Sequence, residues 1–506
     1  MAVSSTVSND EEDEKPRLPT PLFALIPATL SKSLTSEKMM DFLRNQDAYE
    51  CRLAIFHPIV VQRSYGKERR YFSPPACVYL IGQGWKLKKQ RVLDLYKSLK
   101  LNGNSDHEER PAEIVAYIDT GTKDGEQLLL DFSAGKNYCV AKELSINDLD
   151  TRKHFDLNIN FFYGCGIEIG NFVSLKIKTI SKPTINRSRY SDFKYSGIAS
   201  GTKVALIYRN QAHVHRYLHV EEEEYSVSET KWGNFTIYLC EDSSEHGPQD
   251  NKKFVAKEGY IYYGNVVKLV DFNTGISLPL MKIRRLANHR VILDSADNEE
   301  SAEPVCRMNK CAFQMVENDK MYISRSEDTI VQHEAKVMSD TIHLIDEGAT
   351  WTIISTDVVE YRFYEAMGFV STPISPCPVV MSVEVFGSGE NEWAEVFGRD
   401  FKPDLKIWFG ATEVETMFYN EEKLVCKIPK KEKVVNNETI SIFKKTRIGV
   451  PEIPISLVRD DGVIYPTNHT FSYKSLESLG TLDSKEPPRK TAKISNDDDK
   501  MLLELL

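Results

Sequence analysis

The densest group of chemically active side chains lies in the ten-residue segment 63–72, whose sequence is RSYGKERRYF. It contains four cations and three aromatic residues: Arg63, Lys67, Arg69 and Arg70, with Tyr65, Tyr71 and Phe72. Gly66 permits a tight turn, and Pro74-Pro75 fixes the exit of the chain. The planar guanidinium of arginine matches O6 and N7 of guanine, with about 1–3 kcal/mol of discrimination per bidentate pair. The segment therefore has the composition of a loop that enters the major groove of a duplex.

A second group, Arg209-Asn210-Gln211, follows a predicted strand. Asparagine and glutamine can donate to and accept from a base edge, and arginine suits a narrow, electronegative groove. His213 and His215 alternate with other residues beside this group. We expect them to lie near an anion rather than to hold a metal.

The charges are unevenly distributed. Residues 51–90 carry eight Lys/Arg against one acid, and residues 171–216 carry nine against one, although the whole chain has a net charge of −10. Concentrated like charge must be solvated or neutralised by an anion, and a phosphate backbone is a common large anion for such a surface. Two solvated edges remain the alternative interpretation, and charge alone does not choose between them.

Signatures of catalysis and of metal binding are absent from the sequence. It contains no GxGxxG opening a helix, no GxxxxGK[ST], no GxSxG and no HExxH, and its nine cysteines include no CxxC pair. No apolar run approaches the roughly 18–20 residues of a membrane helix. We therefore expect no enzyme, no cofactor, no metal site and no membrane span, and we interpret the cysteines as reduced thiols.

The elements that must position these groups are mostly short strands. Residues 35–46 predict a helix capped by Ser36, and Lys86–Leu99 predicts a second helix. Short β-like runs follow one another from about 50 to 200, and from Gly201 their even spacing predicts a closed β-structure.

The last third of the ordered sequence begins with a long β-prone run, Trp351–Tyr364, which ends at a group of prolines. A unit of about 100 residues follows. In it Leu405, Ile407 and Phe409 are predicted to point one way and the residues between them the other. Its length and pattern suit an immunoglobulin-like sandwich.

The run Arg63–Lys86 closely resembles the DNA-contacting segment of the CSL transcription factors, the family of RBP-J kappa and Suppressor of Hairless. Further segments resemble the same family in the same order: Gly135–Cys139, Thr151–Phe155, Ile198–Arg209, Arg216–Glu221, Gly348–Asp357 and Leu457–Thr467. The similarity extends over roughly residues 39–475. So many long colinear matches are far more specific than any single short motif.

The resemblance implies an all-β fold with three units: a Rel-like immunoglobulin domain, a central β-trefoil and a C-terminal immunoglobulin-like (IPT/TIG) domain. The expected boundaries are a disordered tail at 1–34, the Rel-like domain at 35–197, the trefoil at 198–350, a linking strand at 351–375, the immunoglobulin-like domain at 376–475 and a disordered tail at 476–506.

The resemblance also implies a function. Such proteins act in the nucleus as monomers on a G-rich DNA duplex. They switch RNA polymerase II genes between repression by corepressors and activation by the Notch intracellular domain with a Mastermind-type coactivator. The alternative is a divergent paralogue that has lost Notch coupling or changed its DNA preference and that serves as a corepressor scaffold.

Residue by residue, the family's DNA contacts fall on eight positions: Tyr65, Arg69 and Arg70 in the major-groove loop, Lys182 on the backbone, Arg209, Asn210 and Gln211 in the minor-groove loop, and Lys268 as a further basic residue. The minor-groove loop RNQAHVHRY is two residues shorter than the usual RLRSQTVSTRY, lacks one arginine and has Asn210 in place of serine. We expect core recognition to be retained, with altered affinity or flanking preference.

Four positions match the family's groove for the Notch peptide and for corepressors: Phe254, Ala256, Ser277 and Gln332. Ala256 replaces a usual valine, which removes about two methyl groups at about 0.8 kcal/mol each. Ser277 replaces a usual alanine, and an unsatisfied hydroxyl there costs roughly 1–3 kcal/mol. We therefore expect reduced Notch dependence, with ordinary core packing as the alternative role of Ala256.

The sequence ends with the acidic run Asp497-Asp-Asp499 followed by Met501-Leu-Leu-Glu-Leu-Leu506, an LxxLL pattern. Such a segment can dock as a helix in a groove. An incidental tail is the simpler interpretation.

Overall fold

The computed structural model describes residues 33–66, 68–98, 110–122, 127–181, 197–209, 215–221, 223–241, 255–287, 289–293, 304–305, 310–387, 391–436, 438–446, 449–473 and 490–491. The predicted tails at 1–34 and 476–506 lie almost entirely outside these residues. The eight cysteines within them are buried thiols without a disulfide partner. None of the described helices is long and apolar enough to cross a bilayer.

The N-terminal unit is a sandwich of short strands. Its helices are α1 (Ser36–Arg44), α2 (Gln46–Tyr49) and α3 (Gly84–Ser98). Its strands are β1 (Cys51–Pro58), β2 (Val60–Gln62), β3 (Ala76–Ile81), β4 (Ile114–Asp119), β5 (Leu128–Asp131), β6 (Tyr138–Ala141), β7 (His154–Phe155), β8 (Asn158–Tyr163), β9 (Glu168–Val173) and β10 (Ile177–Ile180). The sheet β6-β3-β1 faces the sheet β5-β4-β8-β9, and β2-β10-β7 forms a third, smaller sheet.

The central unit contains β11 (Thr202–Arg209), β12 (His215–Glu221), β13 (Glu224–Ser228), β14 (Phe235–Cys240), β15 (Ala256–Lys257), β16 (Val266–Asp271), β17 (Met281–Ala287), β18 (Arg290–Ile292), β19 (Lys310–Met315), β20 (Met321–Ser326), β21 (Thr329–Glu334), β22 (Lys336–Ser339), β23 (Ile342–Leu344) and the start of β24 (Trp351–Glu365). Strands β11, β14, β16, β17, β19 and β24 pair in turn and close on themselves as a six-stranded ring. The predicted closed β-structure is confirmed.

The C-terminal unit contains β25 (Val379–Phe386), β26 (Trp393–Arg399), β27 (Leu405–Phe409), β28 (Thr412–Val414), β29 (Thr416–Asn420), β30 (Lys423–Lys427), α4 (Lys431–Val434), β31 (Lys444–Lys445), β32 (Pro451–Arg459), β33 (Val463–Phe471) and β34 (Lys490–Thr491). The sheet β29-β30-β26-β25-β34 packs on the sheet formed by β28, β27, β32 and β33. Strand β34 falls within the predicted tail 476–506, so that tail contributes a strand to the fold.

Strand β24 belongs to all three units. Its residues Thr352–Ser355 pair with β11, Thr356–Phe363 with β1, and Tyr364–Glu365 with β33. The strand ends at Glu365, ten residues before the expected end of the linking strand. One continuous ladder of hydrogen bonds therefore fixes the units against one another.

Helix α1 packs against the C-terminal unit, although the sequence places it in the N-terminal one. Met39, Met40 and Phe42 join a cluster with Trp408 and Val458, on the outer side of β27 and β32. Trp408 lies on the opposite side of β27 from Leu405, Ile407 and Phe409, as the sequence predicts, and it is buried because α1 covers that side. Thr35, not Ser36, caps the helix, because its side chain accepts the N–H of Lys38.

A buried ion pair joins α3 to the end of β24. Lys88 contacts the carboxylate of Glu365, and the two side chains are 4% and 2% exposed. Arg91 donates to the main-chain oxygen of Glu365 and stacks over the ring of Tyr364. Breaking one partner of such a pair leaves an uncompensated buried charge, which is far more costly than removing both.

We expect Glu365→Ala to lower the free energy of unfolding by about 3–5 kcal/mol, because the ammonium of Lys88 then has no counter-ion in the interior. The matched control is the double variant Lys88→Met, Glu365→Leu. Its free energy of unfolding should fall much less, because it leaves no unpaired charge in the interior. Urea titration of the full chain followed by tryptophan fluorescence measures both. Equal losses in the two variants would contradict the assignment.

Candidate nucleic-acid interface

The basic loop 63–72 is a tight hairpin. The N–H of Tyr65 donates to the carbonyl of Glu68 at 3.1 Å, and the N–H of Glu68 donates to the carbonyl of Tyr65 at 3.0 Å. Gly66 has φ +58°, and a β-carbon on it would meet nothing within 4 Å. Conformation rather than lack of space therefore favours glycine here, as the sequence predicts.

Both ends of the loop are tied to the N-terminal unit. The N–H of Arg63 donates to the carbonyl of Ile180 at 3.0 Å, and the N–H of Phe72 donates to that of Leu144 at 3.0 Å. The ring of Phe72 is buried, with its centroid 6.0 Å from that of Phe155. The loop is thus carried by β2 and β10 at one end and by the hydrophobic core at the other.

Ser64 braces the loop from within. Its N–H donates to the carbonyl of Ile146 at 2.9 Å, and its hydroxyl oxygen accepts the N–H of Arg70 at 3.1 Å. The side chain of Ser64 is buried, so water competes poorly for this bond. The backbone of Arg70 is therefore held in place, which fixes the direction in which its side chain leaves the loop.

The tyrosine and arginine side chains between 65 and 71 lie at the surface. Tyr65 and Tyr71 are 66% and 49% exposed, Arg69 is exposed and Arg70 is half-buried. Nε of Arg70 lies 3.5 Å from a carboxylate oxygen of Glu68, which is itself exposed. An exposed pair at this distance is weak and is readily exchanged for another anion. The Arg70 guanidinium can therefore exchange this weak pair for an external anion.

A neighbouring segment extends the cationic surface. Arg63 donates to the carbonyl of Arg152 at 2.5 Å, and Arg152 is bound to Asp150 at 2.7 Å. Hydrogen bonding from Arg152 lowers the pKa of the Asp150 carboxyl, which stays ionised beside it. Lys153 and His154 next to them are exposed. The sequence matched Thr151–Phe155 to a family motif, but Lys153 was not among the predicted contacts.

The exit of the loop rests on the central unit. The hydroxyl of Ser73 lies 3.1 Å from Nδ1 of His215, at the start of β12, and the indole N–H of Trp232 donates to the carbonyl of Pro75 at 2.9 Å. Trp232 is fully buried against Phe56, with ring centroids 5.6 Å apart. His215 contacts this serine, and its predicted position near an anion stays a prediction. These contacts place the base of the β11–β12 connection beside the basic loop.

The structure describes only some of the remaining predicted DNA contacts. Lys182, Asn210 and Gln211 lie outside the described residues, and Arg209 is placed only as the last residue of β11. Lys268 lies in β16 with 6% of its surface exposed. A side chain that is so covered presents little of itself to a phosphate, so we leave Lys268 out of the proposed DNA surface.

Several cations of the two cation-rich segments, 51–90 and 171–216, have structural partners. Arg52 contacts Glu360, Lys88 contacts Glu365 as described above, and Arg216 contacts Asp328 and Glu229. The excess of charge counted along the sequence therefore overstates the cationic surface. In each segment some cations instead form ion pairs that join β24, or the trefoil hairpins, to neighbouring elements.

The predicted peptide groove is only partly described. Phe254 lies outside the described residues. Ala256 is exposed on β15, Gln332 is exposed on β21, and Ser277 is half-buried in a bridge to Val270. The alternative that Ala256 is an ordinary core residue is wrong, since its side chain faces solvent.

Comparison with known proteins gives the same order of units. Family models match in three places: "LAG1, DNA binding" at residues 53–192, "Beta-trefoil DNA-binding domain" at 221–351 and "TIG domain" at 377–473. The human recombining binding protein suppressor of hairless-like protein is 33% identical over 444 residues, which cover 85% of this chain and 80% of that protein. Its mouse counterpart is also 33% identical, and the fission yeast transcription factor cbf12 is 21% identical over 79% of this chain and 47% of that protein.

We expect Ser64→Ala to speed hydrogen exchange of the Arg70 amide about 2- to 12-fold, because a net hydrogen bond of roughly 0.5–1.5 kcal/mol is lost. Ser181→Ala, at an exposed serine that follows β10, is the matched control and should leave that amide unchanged. Mass spectrometry or NMR measures the hydrogen exchange of the Arg70 amide in the unmodified chain and in both variants. An unchanged rate in Ser64→Ala would show that the hydroxyl does not brace the loop.

Proposed function

The chain belongs to the CSL family of DNA-binding transcription factors, and we propose that it regulates transcription by binding a G-rich duplex through the loop 63–72. One observation carries this proposal: an anchored hairpin presents exposed arginine and tyrosine side chains beside a second cationic segment. A loop whose backbone is anchored in this way loses little backbone entropy when it binds, which favours base contacts over diffuse attraction.

In the proposed complex the loop enters the major groove. Arg69 and Arg70 donate to O6 and N7 of successive guanines, where the guanidinium fork fits in a bidentate manner. Tyr65 lies at the start of the turn and lines the same groove. Lys153 and Lys182 contact phosphates and so set the register, which contributes affinity without sequence preference.

The central unit would contribute a second contact in the minor groove, through Arg209, Asn210 and Gln211. The hydrogen bond between Ser73 and His215 keeps the base of that connection next to the exit of the basic loop. The connection is two residues shorter than is usual in the family and lacks one arginine. We propose that recognition of the guanines is retained and that preference for the flanking base pairs is altered.

We propose that the protein acts in the nucleus as a monomer on DNA and recruits corepressors or coactivators to RNA polymerase II genes. Two positions of the predicted peptide groove disfavour its interaction with a Notch intracellular domain and a Mastermind-type coactivator. Ala256 is exposed where valine is usual, and Ser277 carries a hydroxyl where alanine is usual. These two positions favour the second candidate function, a corepressor scaffold with weakened Notch coupling.

We expect Arg70→Ala to weaken binding to the G-rich site by roughly 1–3 kcal/mol and to relax the preference at one base pair, because one bidentate contact is lost. Lys153→Ala is the control, and it should weaken binding to every duplex about equally and reduce the salt dependence. Titrations of specific and scrambled duplexes at two salt concentrations measure both effects. An equal loss on all sequences for Arg70→Ala would limit that residue to phosphate contact.

We expect a Notch-derived peptide to bind the chain weakly, and the double variant Ala256→Val, Ser277→Ala to bind it at least about tenfold more tightly, because about 1.6 kcal/mol of apolar burial returns. Ala48→Val, at an exposed alanine of α2, controls for a general effect of added surface. Calorimetry measures all three proteins. Tight binding by the unmodified chain would contradict the expectation.

A further inference from the structure

The guanidinium of Arg152 is bound to the protein itself. Its Nε and Nη2 donate to the carboxylate of Asp150 at 3.1 and 2.7 Å. Nη2 and Nη1 also donate to the carbonyls of Thr120 and Gly121, at 2.9 and 3.4 Å. All three guanidinium nitrogens therefore have partners inside the N-terminal unit, although the side chain is 34% exposed. An arginine whose fork is occupied in this way is better suited to position its neighbours than to bind a phosphate.

The 119–121 turn that receives Arg152 is itself fixed to a sheet. Asp119 ends β4, and its buried carboxylate accepts the N–H of Gly121 at 2.8 Å. The same carboxylate accepts the side-chain amides of Gln127 and Asn158 at 3.2 and 3.3 Å. Asn158 begins β8, which pairs with β4. Arg152 therefore ties its own segment to the β4–β8 ladder.

Arg63 completes the connection to the basic loop. Its Nη2 donates to the carbonyl of Arg152 at 2.5 Å, and its Nε is covered by neighbouring atoms. Hydrogen bonding from Arg152 and, to a smaller extent, the positive charge of Arg63 lower the pKa of the Asp150 carboxyl. The carboxylate is thus stabilised by both arginines. We call Arg63, Asp150 and Arg152 the arginine brace.

We propose that the arginine brace sets the spacing between the loop 63–72 and Lys153, and that it acts as a positioning device for base recognition without contacting DNA. This inference rests on the proposed function, in which the loop reads guanines and Lys153 contacts a phosphate. Arg63 begins the loop, and exposed Lys153 directly follows Arg152. Phosphate contacts fix the register of a protein on a duplex, so their distance from the base-reading groups must itself be fixed.

The alternative is that Arg152 contacts a phosphate directly, and the two accounts predict opposite effects when the charge of Asp150 is removed. In a direct contact, loss of the carboxylate frees the guanidinium and removes a repulsion, so every duplex binds more tightly. In the arginine brace, the guanidinium loses its charged partner and the spacing becomes variable. Preference for the G-rich duplex then falls.

The test variant is therefore Asp150→Asn, which keeps the shape of the side chain and the oxygen that accepts the main-chain N–H of Arg152 at 2.9 Å. The matched control is Asp148→Asn, at an exposed residue of the same segment outside the arginine brace. Both variants remove one negative charge. The full chain is titrated with a G-rich and a scrambled duplex at two salt concentrations, and urea unfolding shows whether each variant keeps its fold.

We expect the ratio of affinities for the G-rich over the scrambled duplex to fall at least about fivefold in Asp150→Asn, since members of one hydrogen-bonded network couple on this scale. Asp148→Asn should keep the ratio and bind both duplexes equally well or slightly more tightly. Tighter binding of both duplexes by Asp150→Asn, with an unchanged ratio, overturns the proposal and assigns Arg152 to a phosphate.

Arg152→Lys provides a second test that does not depend on Asp150→Asn folding. Lysine keeps the charge and can contact a phosphate, but it lacks the planar fork that binds Asp150 and the 119–121 turn together. We expect the same fall in the ratio. Equal binding of both duplexes by the unmodified chain would overturn the proposed function and the arginine brace with it, whereas a preference that both variants keep would overturn the arginine brace alone.

Discussion

The structure depends on one shared strand. The fifteen residues of β24 close the trefoil ring with their first part, complete the N-terminal sheet with their middle and join the C-terminal sandwich with their end. A shift of one residue in this register would turn every side chain of β24 to the opposite face. Such a shift would expose Trp351, Ile353 and Phe363, which are fully buried. The hydrophobic cores of all three units therefore specify the same register.

This constraint determines how the chain can meet a duplex. The basic loop belongs to one unit and His215, at the start of β12, to another, yet β24, Trp232 and the contact between Ser73 and His215 hold these two places side by side. The proposed contacts with neighbouring grooves therefore need no prior ordering of the two units. The energy that such ordering would cost is available for discrimination between base pairs.

The sequence predicted the elements better than their partners. The glycine turn, the strand-rich pattern and the long run from Trp351 could be recognised because they depend on local conformation and on side-chain alternation. The docking of α1 on Trp408 could not, because a helical period shows an apolar face but not what covers it. The charge count failed at Lys88 for a similar reason, since its partner Glu365 lies 277 residues away. Lys153 was missed because a motif match does not show which of its side chains face outward.

Selection of binding sites from random duplexes by the purified full chain tests the central claim most directly. The claim is that a rigid, anchored hairpin presents guanidinium groups to the edges of guanines. It predicts strong enrichment of sites that contain consecutive guanines, with the weakest constraint at the flanks served by the shortened connection. Retention of all duplexes alike, with binding that falls only as salt rises, would contradict it and reduce the basic loop to a phosphate contact.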